Sequence, residues 1–259
     1  VTLTGDGGGD LAAGSYVVDL TVTDSTYSNT STTRLSFKII TANPTISSVE
    51  VSWGDILNSQ EVTNAANEFV KVTVVDPLNA LNGTTPVLDL CGNTLDSNIN
   101  MNNLSTDENN NETAQSINDN EVKTFINEIA NSTGNTYKVT VTVTDKAGNS
   151  SSQDKTFTVD AQAPTLNVPA TPIKTNADNT ISFNVSASEA GTLSVSTSGY
   201  QVTAGADYTS GDHSVTVQTD PSNNNFPTGS NIIDLVLTDT AGNQSTQSVE
   251  IDVSRTAPT

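Results

Sequence analysis

Tyr137-Lys-Val-Thr-Val-Thr-Val-Thr-Asp-Lys-Ala-Gly-Asn149 is the stretch that decides the fold. Tyr137 and three valines alternate with Lys138 and three threonines, which is the period-2 pattern of a strand with one buried face. The residues from Asp145 to Asn149 supply turn chemistry, because Asp and Asn tolerate tight backbone and Gly accepts a positive φ. A second alternating run, ending in Phe157 and Val159, follows directly. The whole stretch therefore predicts a β-hairpin.

The same unit occurs three times along the chain. Tyr16-Val-Val-Asp-Leu-Thr-Val-Thr-Asp24 precedes the central hairpin, and Asn231-Ile-Ile-Asp-Leu-Val-Leu-Thr-Asp-Thr-Ala-Gly-Asn243 follows it. Each unit closes on a related Ala-Pro-Thr or Asn-Pro-Thr segment, and the prolines at 44, 164 and 258 are 120 and 94 positions apart. This spacing is too long for a solenoid repeat, so it predicts a tandem array of separate domains.

Strand-like alternation without intervening helical segments predicts the class of these domains. Residues 164–254 contain about seven such runs, which is typical of an immunoglobulin-type sandwich. The predicted fold is all-β, with tandem immunoglobulin-like β-sandwiches in a linear array. Residues 121–130 are compatible with a strand or a helical turn, and periodicity does not decide between them.

The predicted array has one incomplete and two complete domains. The predicted boundaries are 1–43 for the C-terminal part of a domain, 44–161 for a domain with a long loop near 96–120, 162–255 for a second full domain, and 256–259 for the start of a linker. The first part would expose its half-core and strand edges if it stood alone. We expect the missing strands to come from a preceding segment or from another chain.

The composition limits the possible partners. The 259 residues contain 9 Lys and Arg against 29 Asp and Glu, for a net charge of −20. Such a chain repels nucleic acid and anionic membranes, so we expect neither as a partner, and no stretch is apolar enough to insert into a bilayer. The acidity either attracts cations or only keeps the protein soluble. Cys91 is the one cysteine, which excludes a disulfide within the chain and predicts a small buried apolar residue there.

Two stretches carry a resemblance to a known family. They are Thr142–Asn149 leading into Val159–Thr165, and Ser52-Trp-Gly-Asp-Ile-Leu-Asn-Ser-Gln-Glu61, which looks like an opening hairpin. Both resemble the bacterial immunoglobulin-like repeats of giant secreted surface adhesins of the repeats-in-toxin and biofilm-associated types. The resemblance covers the second and third repeats and part of the first, where Asp24–Ser28 lacks the Gly and Asn of the motif. It implies a bacterial cell-surface location, a long stalk, and calcium bound at domain junctions.

Sandwich topology predicts which acidic groups meet at the second junction. The loop between the last two strands and the loop between the second and third strands lie at the pole where the chain enters. The oxygen-bearing residues expected there are Asp160, Glu189, Asp239 and Asn243, with Asp55 or Glu61 from the preceding repeat. Calcium requires six to eight such hard ligands, whereas zinc would require His or Cys. The sequence therefore predicts a structural Ca2+ site.

A weaker site is predicted at the first junction. Its candidate ligands are Asp145, Asn149, Asp76, Asp6 and Asp10, but Ile40 stands where the second junction has Asp160. The alternative at both junctions is that Asp and Asn only form turns and cap backbone groups, which is a strong alternative for Asn149 and Asn243. The glycine-rich segment between Asp6 and Asp10 is interpreted as a flexible loop.

Nothing in the sequence indicates catalysis. His213 is the one histidine, no nucleophile elbow accompanies it, and nothing predicts a cleft around paired carboxylates. Trp53 is expected to pack in a core or at a junction. We therefore predict a non-enzyme.

Three functions remain open from the sequence. The first is a stalk segment of a surface adhesin, whose partners are neighbouring domains and whose ligand is bound elsewhere in the protein. The second is a subunit of an extracellular filament or surface layer that uses strand complementation. The third and weakest is an accessory module of a secreted polysaccharide-active enzyme, which exposed aromatic residues in a row would favour.

Overall fold

A computed structural model describes residues 9–75, 81, 83–90, 99–106, 112–115, 120–203, 207–220 and 225–255. Asp6, Asp76 and Cys91, which the sequence singled out, lie outside the described residues. The described part is all-β with two short α-helices. It divides into two compact units: Val1–Ser52, Glu68–Val122 and Lys138–Thr156 form the first, and Trp53–Asn67, Lys123–Tyr137 and Phe157–Thr259 form the second. The predicted domain boundaries stay a prediction.

The strands and helices before residue 160 come in the following chain order. They are β1 (Gly14–Thr23), β2 (Thr30–Ile39), β3 (Thr45–Val51), β4 (Ile56–Leu57), α1 (Ser59–Thr63), β5 (Val70–Val75), β6 (Val87–Asp89), β7 (Ile99–Asn100), β8 (Ser105–Thr106), β9 (Glu112–Gln115), α2 (Asn120–Ile129), β10 (Thr136–Thr144) and β11 (Ser150–Val159). A 3-10 helix, Ala65–Asn67, follows α1. The hairpin predicted around Asp145 is β10 and β11, with Gly148 at a φ of 91° in its turn.

The remaining elements are all strands. They are β12 (Leu166–Asn167), β13 (Ile173–Thr175), β14 (Thr180–Ala187), β15 (Gly191–Val195), β16 (Tyr200–Val202), β17 (Asp207–Tyr208), β18 (Gly211–Thr219), β19 (Gly229–Asp239) and β20 (Gln244–Val253). They form one sheet in the order β12-β14-β18-β16 and another in the order β13-β20-β19-β15-β17. Alternate residues of both sheets are buried in one core. This is the connectivity of an immunoglobulin-like sandwich, with the first strand shared between the sheets.

The preceding repeat has the same strand connectivity. β3, β5, β9 and β8 pair in that order, as β12, β14, β18 and β16 do. β11 pairs with β10, and β10 pairs antiparallel with β6. The C-terminal end of β11 pairs in parallel with β4, just as β20 pairs in parallel with β13. Shared topology supports the sequence assignment of these two stretches as related all-β repeats.

Two local expectations differ from what the structure contains, and one segment that the sequence left open is now assigned. The Asp55–Glu61 stretch, expected as a hairpin, forms β4 and then α1, because Asn58 and Glu61 make a capping box that starts a helix. The segment 96–120, expected as a long loop, includes the short strands β7, β8 and β9. The undecided segment 121–130 lies in α2 as far as Ile129, and the buried side chains Val122, Phe125, Ile126 and Ile129 have helical spacing.

Trp53 packs in a core, as expected. Its side chain is buried and meets the ring of Phe157 edge-on with centroids 5.2 Å apart. Phe125 and Tyr137 complete an aromatic cluster around Phe157. Edge-to-face pairs of this kind add to the stability gained from apolar burial. Packing therefore accounts for Trp53 without a sugar ligand.

Candidate metal site

Three carboxylates meet where the chain enters the C-terminal sandwich. Asp160 directly follows β11, Glu189 lies in the turn between β14 and β15, and Asp239 is the last residue of β19. One carboxylate oxygen from each lies within 4.8 Å of the other two. Asp239 is buried, and Asp160 and Glu189 are half-buried. The structure thus brings together three residues that sequence reasoning placed at this junction.

The turn after β19 holds the Asp239 carboxylate in place. Its Oδ1 accepts hydrogen bonds from the backbone N–H groups of Ala241 and Asn243, each at 2.8 Å. Its Oδ2 accepts a bond from Asn243 Nδ2 at 2.9 Å. Gly242 has a φ of 94°, which the turn requires and which Gly adopts without steric cost. The Asp-x-Ala-Gly-Asn motif is therefore a self-bonded Asx turn.

Asn243 ties this turn to the incoming chain. Its Nδ2 donates to the backbone oxygen of Asp160 at 2.7 Å, and its Oδ1 accepts the backbone N–H of Ser59 at 2.7 Å. Asn58 Nδ2 donates to the Ala241 oxygen at 2.9 Å from the same side. Both ends of the buried Asn243 amide are used by protein groups, so Asn243 positions the linker that carries Asp160. This is the turn-forming role that the sequence left open beside metal ligation.

Electrostatics at the cluster oppose full ionisation. Burial, followed by the charge of Asp239, raises the pKa of Asp160, although the backbone N–H of Gln162 offsets part of this rise. Burial also raises the pKa of Glu189, with the charges of Asp160 and Asp239 adding to it and a bond from Ser188 opposing it. Asp160 Oδ1 is inaccessible to solvent and has no hydrogen-bond partner within the described residues. A bound cation would satisfy that oxygen and relieve the repulsion.

The equivalent turn after β10 has the same geometry without the acidic cluster. Asp145 Oδ1 accepts the backbone N–H groups of Ala147 at 2.8 Å and Asn149 at 2.9 Å. Asn149 Nδ2 donates to Asp145 Oδ2 at 2.9 Å and to the Ile40 oxygen at 3.3 Å. Burial opposes ionisation of Asp145, but bonds from Asn149, Ala147 and Gly148 together lower its pKa. Within the described residues, no second carboxylate joins Asp145 in a metal-binding group.

The other predicted ligands that the structure describes do not join the cluster. Asp55 is exposed, and its backbone oxygen accepts the N–H of Thr158 at 2.9 Å. Glu61 Oε2 accepts the backbone N–H of Asn58 at 2.9 Å, which completes the cap of α1. Asp10 is exposed and belongs to none of the acidic groups found in the described residues. Asp6 and Asp76 lie outside the described part of the chain.

Sequence reasoning missed two residues that shape the site. Asn58 and Ser59 contact the turn after β19 through Ala241 and Asn243. Their local signal was the capping box, in which the Asn58 side chain accepts the backbone N–H of Glu61 at 3.4 Å and the Glu61 side chain accepts the backbone N–H of Asn58 at 2.9 Å. That signal predicts the start of a helix. It does not predict that the helix start would lie against a turn 183 positions away.

Comparisons with known proteins give likeness of fold. No protein-family model matches the chain, and no curated protein matches it. The chain is similar to a Ca2+-stabilized adhesin that helps an Antarctic bacterium reach out and bind ice, at 21% identity and a TM-score of 0.35, over 92% of this chain and 57% of that one. It is also similar to a 1.5-MDa bacterial ice-binding adhesin studied for host cell surface retention, at 20% identity and a TM-score of 0.36, over 92% of this chain and 75% of that one.

A human structure gives a weaker likeness. The human desmocollin-1 ectodomain matches at 13% identity and a TM-score of 0.28, over 93% of this chain and 45% of that one. All three likenesses concern the all-β fold alone. Within the described residues, no helix is both long and apolar enough to cross a membrane.

Proposed function

We propose that the chain is a structural segment of a bacterial cell-surface adhesin, a stalk that extends a binding region located elsewhere in the protein. The tandem sandwich repeats, the acidic composition and the sequence resemblance to bacterial immunoglobulin-like repeats support this proposal. The function is mechanical, with no catalytic step. His213, the one histidine, supports this, since its Nε2 is bonded to the Thr209 oxygen and its ring packs on Tyr208.

The observation that carries the proposal is the meeting of Asp160, Glu189 and Asp239. Three carboxylates with one unpartnered buried oxygen form a hard, negatively charged donor set. Calcium accepts such oxygens in irregular geometry and adds waters and backbone carbonyls to reach its coordination number. Magnesium prefers near-ideal octahedral geometry and retains its waters, and zinc prefers His or Cys. Calcium is therefore the ion that the donor set suits best.

Calcium at this site would stiffen the entry to the sandwich. Asp160 belongs to the incoming linker, while Glu189 and Asp239 belong to the sandwich itself. An ion held by all three restrains the linker in addition to the Asn243 hydrogen bonds. Because the ordered site binds calcium and the unfolded chain does not, calcium stabilises the folded state by mass action.

The test is thermal unfolding in EDTA and in millimolar calcium, with Asp160→Asn and the control Asp234→Asn. Asp234 is on the outward face of β19, so the control removes one charge from the same unit without touching the cluster. We expect calcium to raise the Tm of the wild type and of Asp234→Asn but not that of Asp160→Asn. Magnesium at equal concentration should give a smaller rise. Equal melting in EDTA and calcium would reject the metal site and leave only turn chemistry.

A second function has one observation in its favour. The β1–β2 hairpin exposes apolar side chains, among them Val22 and Leu35, that a neighbouring subunit of a filament could cover. The two functions differ in what covers this apolar face. In a stalk another part of the same polypeptide covers it, whereas in a filament a different chain covers it.

A further inference from the structure

The β1–β2 hairpin has the same register as the hairpin that closes the C-terminal sandwich. β1 pairs with β2 over ten residues, from Gly14 opposite Ile39 to Thr23 opposite Thr30. β19 pairs with β20 in the same way, from Gly229 opposite Val253. A slip of one residue would turn every side chain to the other face, so equal register makes the two hairpins comparable position by position.

Inner-face side chains that are buried in β19–β20 are exposed or only half-buried in β1–β2. Leu237 and Val249 are 1% and 0% exposed in the sandwich core, whereas their counterparts Val22 and Leu35 are 72% and 48% exposed. The apolar residues of the inner face are Tyr16, Val18, Leu20, Val22, Leu35, Phe37 and Ile39, and the polar residues Ser31 and Thr33 share it.

The opposite face of the hairpin serves as an internal reference. Val17 is 62% exposed, and its counterpart Ile232, which faces outward in a complete sandwich, is 61% exposed. The solvent exposure of matched side chains in the two hairpins therefore differs at the inner positions and agrees at this outer position. The contrast marks the inner face as one side of a sandwich core.

The complete sandwich shows what covers such a face. The β19–β20 core residues pack in one cluster with Ile181 and Val185 of β14 and with Val215 and Val217 of β18. β15 pairs antiparallel with β19 on the edge that β20 does not occupy, and β13 pairs in parallel with β20. Within the described residues, β1 and β2 form a two-stranded sheet.

We propose that the inner face of β1–β2 is covered by an immunoglobulin-type sheet of the same polypeptide, located N-terminal to the hairpin. The sequence Val1-Thr-Leu-Thr4 has the alternation of Val215-Thr-Val-Gln218 on β18, the strand that leads into β19. The chain reaches Gly14 from Val1 in 13 positions and Gly229 from Val215 in 14, so the spacing to the hairpin is nearly conserved within the chain. Residues 1–8 lie outside the described part of the chain.

Charge disfavours a second copy as the covering partner. Each chain carries a net charge of −20, so pairing two copies brings like charges together. A covering sheet on the same polypeptide also has a far higher effective concentration than a separate chain. The inference rests on the proposed stalk function but not on the calcium site. An experiment can therefore reject the covering sheet and leave the calcium site standing, or the reverse.

The test compares the 259-residue chain with a chain extended upstream in the same reading frame by one set of sandwich strands. Amide hydrogen exchange of β1 and β2 is measured in both, with β19 and β20 as the internal reference, and sedimentation gives the oligomeric state. In the extended chain we expect β1 and β2 to be as protected as β19 and β20, in a monomer. Protection that rises with the concentration of the 259-residue chain would instead identify a second copy and overturn the proposal.

Two substitutions in the extended chain sharpen the test. Leu20→Asp places a charge on the inner face, and Val17→Asp places the same charge on the outer face, three positions away along β1. We expect Leu20→Asp to remove the protection of β1 and β2 and Val17→Asp to keep it. Equal effects of the two substitutions, unprotected hairpin amides in the extended chain, or an upstream frame without alternating strands would each overturn the proposal.

Discussion

Two aspartates of the same motif have opposite electrostatic surroundings. Asp145 lies in a turn whose donors stabilise its charge, and its pKa is lowered. Asp239 has the equivalent donors at nearly the same distances but lies beside Asp160 and Glu189, whose pKa values are raised. In the first linker Ile40 occupies the position that Asp160 occupies in the second. This linker residue is thus one difference between a structural turn and a candidate cation site.

Asn243→Ala is predicted to destabilise the second unit. The change removes bonds to the Asp160 oxygen, to Asp239 Oδ2 and from the Ser59 N–H. Leaving buried partners unpaired costs about 1–3 kcal/mol each, in part recovered by relaxation and water. We expect a lower urea midpoint with little change in m-value. Gln244→Ala, an exposed neighbour, is the control, and equal midpoints for the two variants would contradict the positioning role.

The acidic cluster predicts an unusual dependence on pH without metal. Because the pKa values of Asp160 and Glu189 are raised in the folded state, the unfolded chain loses these protons at lower pH than the folded chain. The free energy of unfolding contributed by these groups therefore falls as pH rises from about 4 through the folded pKa values. In EDTA, as the pH rises through this range, the Tm of the wild type should fall relative to the Tm of Asp160→Asn. Calcium at neutral pH should reverse the order of the two.

The difference between wild type and Asp160→Asn in the dependence of Tm on pH reports the contribution of the acidic cluster alone. Carboxylates with lowered pKa values, such as Asp145 and Asp154, give the opposite trend but are present in both proteins. Parallel curves for wild type and Asp160→Asn would show that Asp160 does not titrate in a crowded site.

Among the secondary-structure elements, the β15–β19 pair sets the spacing of the cluster. Gly191 begins β15, two residues after Glu189, and lies opposite Asp239. A Cβ on Gly191 would come within 2.4 Å of the Thr238 backbone oxygen, which is closer than any normal contact. The absence of a side chain thus lets β15, the strand that follows Glu189, approach β19, the strand that ends at Asp239.

Gly191→Ala is predicted to destabilise the sandwich and weaken calcium stabilisation together. Forcing the strands apart costs about 1–3 kcal/mol, as overpacking does elsewhere. Thermal unfolding with and without calcium measures both effects. Ser194→Ala on the outward face of β15 is the control and should leave both unchanged. A stable Gly191→Ala protein with a full calcium response would mean that β15 does not position Glu189.

At the scale of the whole molecule, charge dominates the solution behaviour. The net charge of −20 makes the folded chain repel itself, and the repulsion is screened over about 10 Å at 0.1 M salt. We expect NaCl, raised from about 10 to 150 mM in EDTA, to increase the Tm. The ion pairs Arg34–Asp19, Lys138–Asp154 and Arg255–Asp178 are largely exposed and would contribute little in the opposite sense. A Tm that falls with salt would show that these pairs outweigh the repulsion.

The salt response also separates screening from specific binding. Sodium acts on the overall charge, so Asp160→Asn should respond to NaCl almost as the wild type does. Calcium at millimolar concentration should distinguish the two proteins, because it acts at the cluster. If calcium and an equal ionic strength of NaCl gave the same Tm, its effect would be screening alone.

The sequence by itself determined the long strands, the hairpins around Asp145 and Asp239, and the acidic groups at the entry to the C-terminal sandwich. Period-2 alternation and turn residues are local signals, and sandwich topology then predicts which loops share a pole. These signals predict the meeting of Asp160, Glu189 and Asp239 from the sequence alone. The capping box at Asn58 was equally local and was present in the sequence, although the stretch was interpreted as a hairpin.

Tertiary structure alone decided which of the polar candidates are near one another. Asn243 could ligate a metal or bond to backbone, and only its contacts with Asp160 and Ser59 select the second role. Asp55 and Glu61 were plausible ligands by type, but α1 directs Glu61 to the cap of its own helix. The sequence predicted an exposed half-core in the first part, and the structure shows which residues of β1–β2 form it. Local patterns specify backbone conformation, whereas the pairing of side chains far apart in sequence depends on how the elements pack.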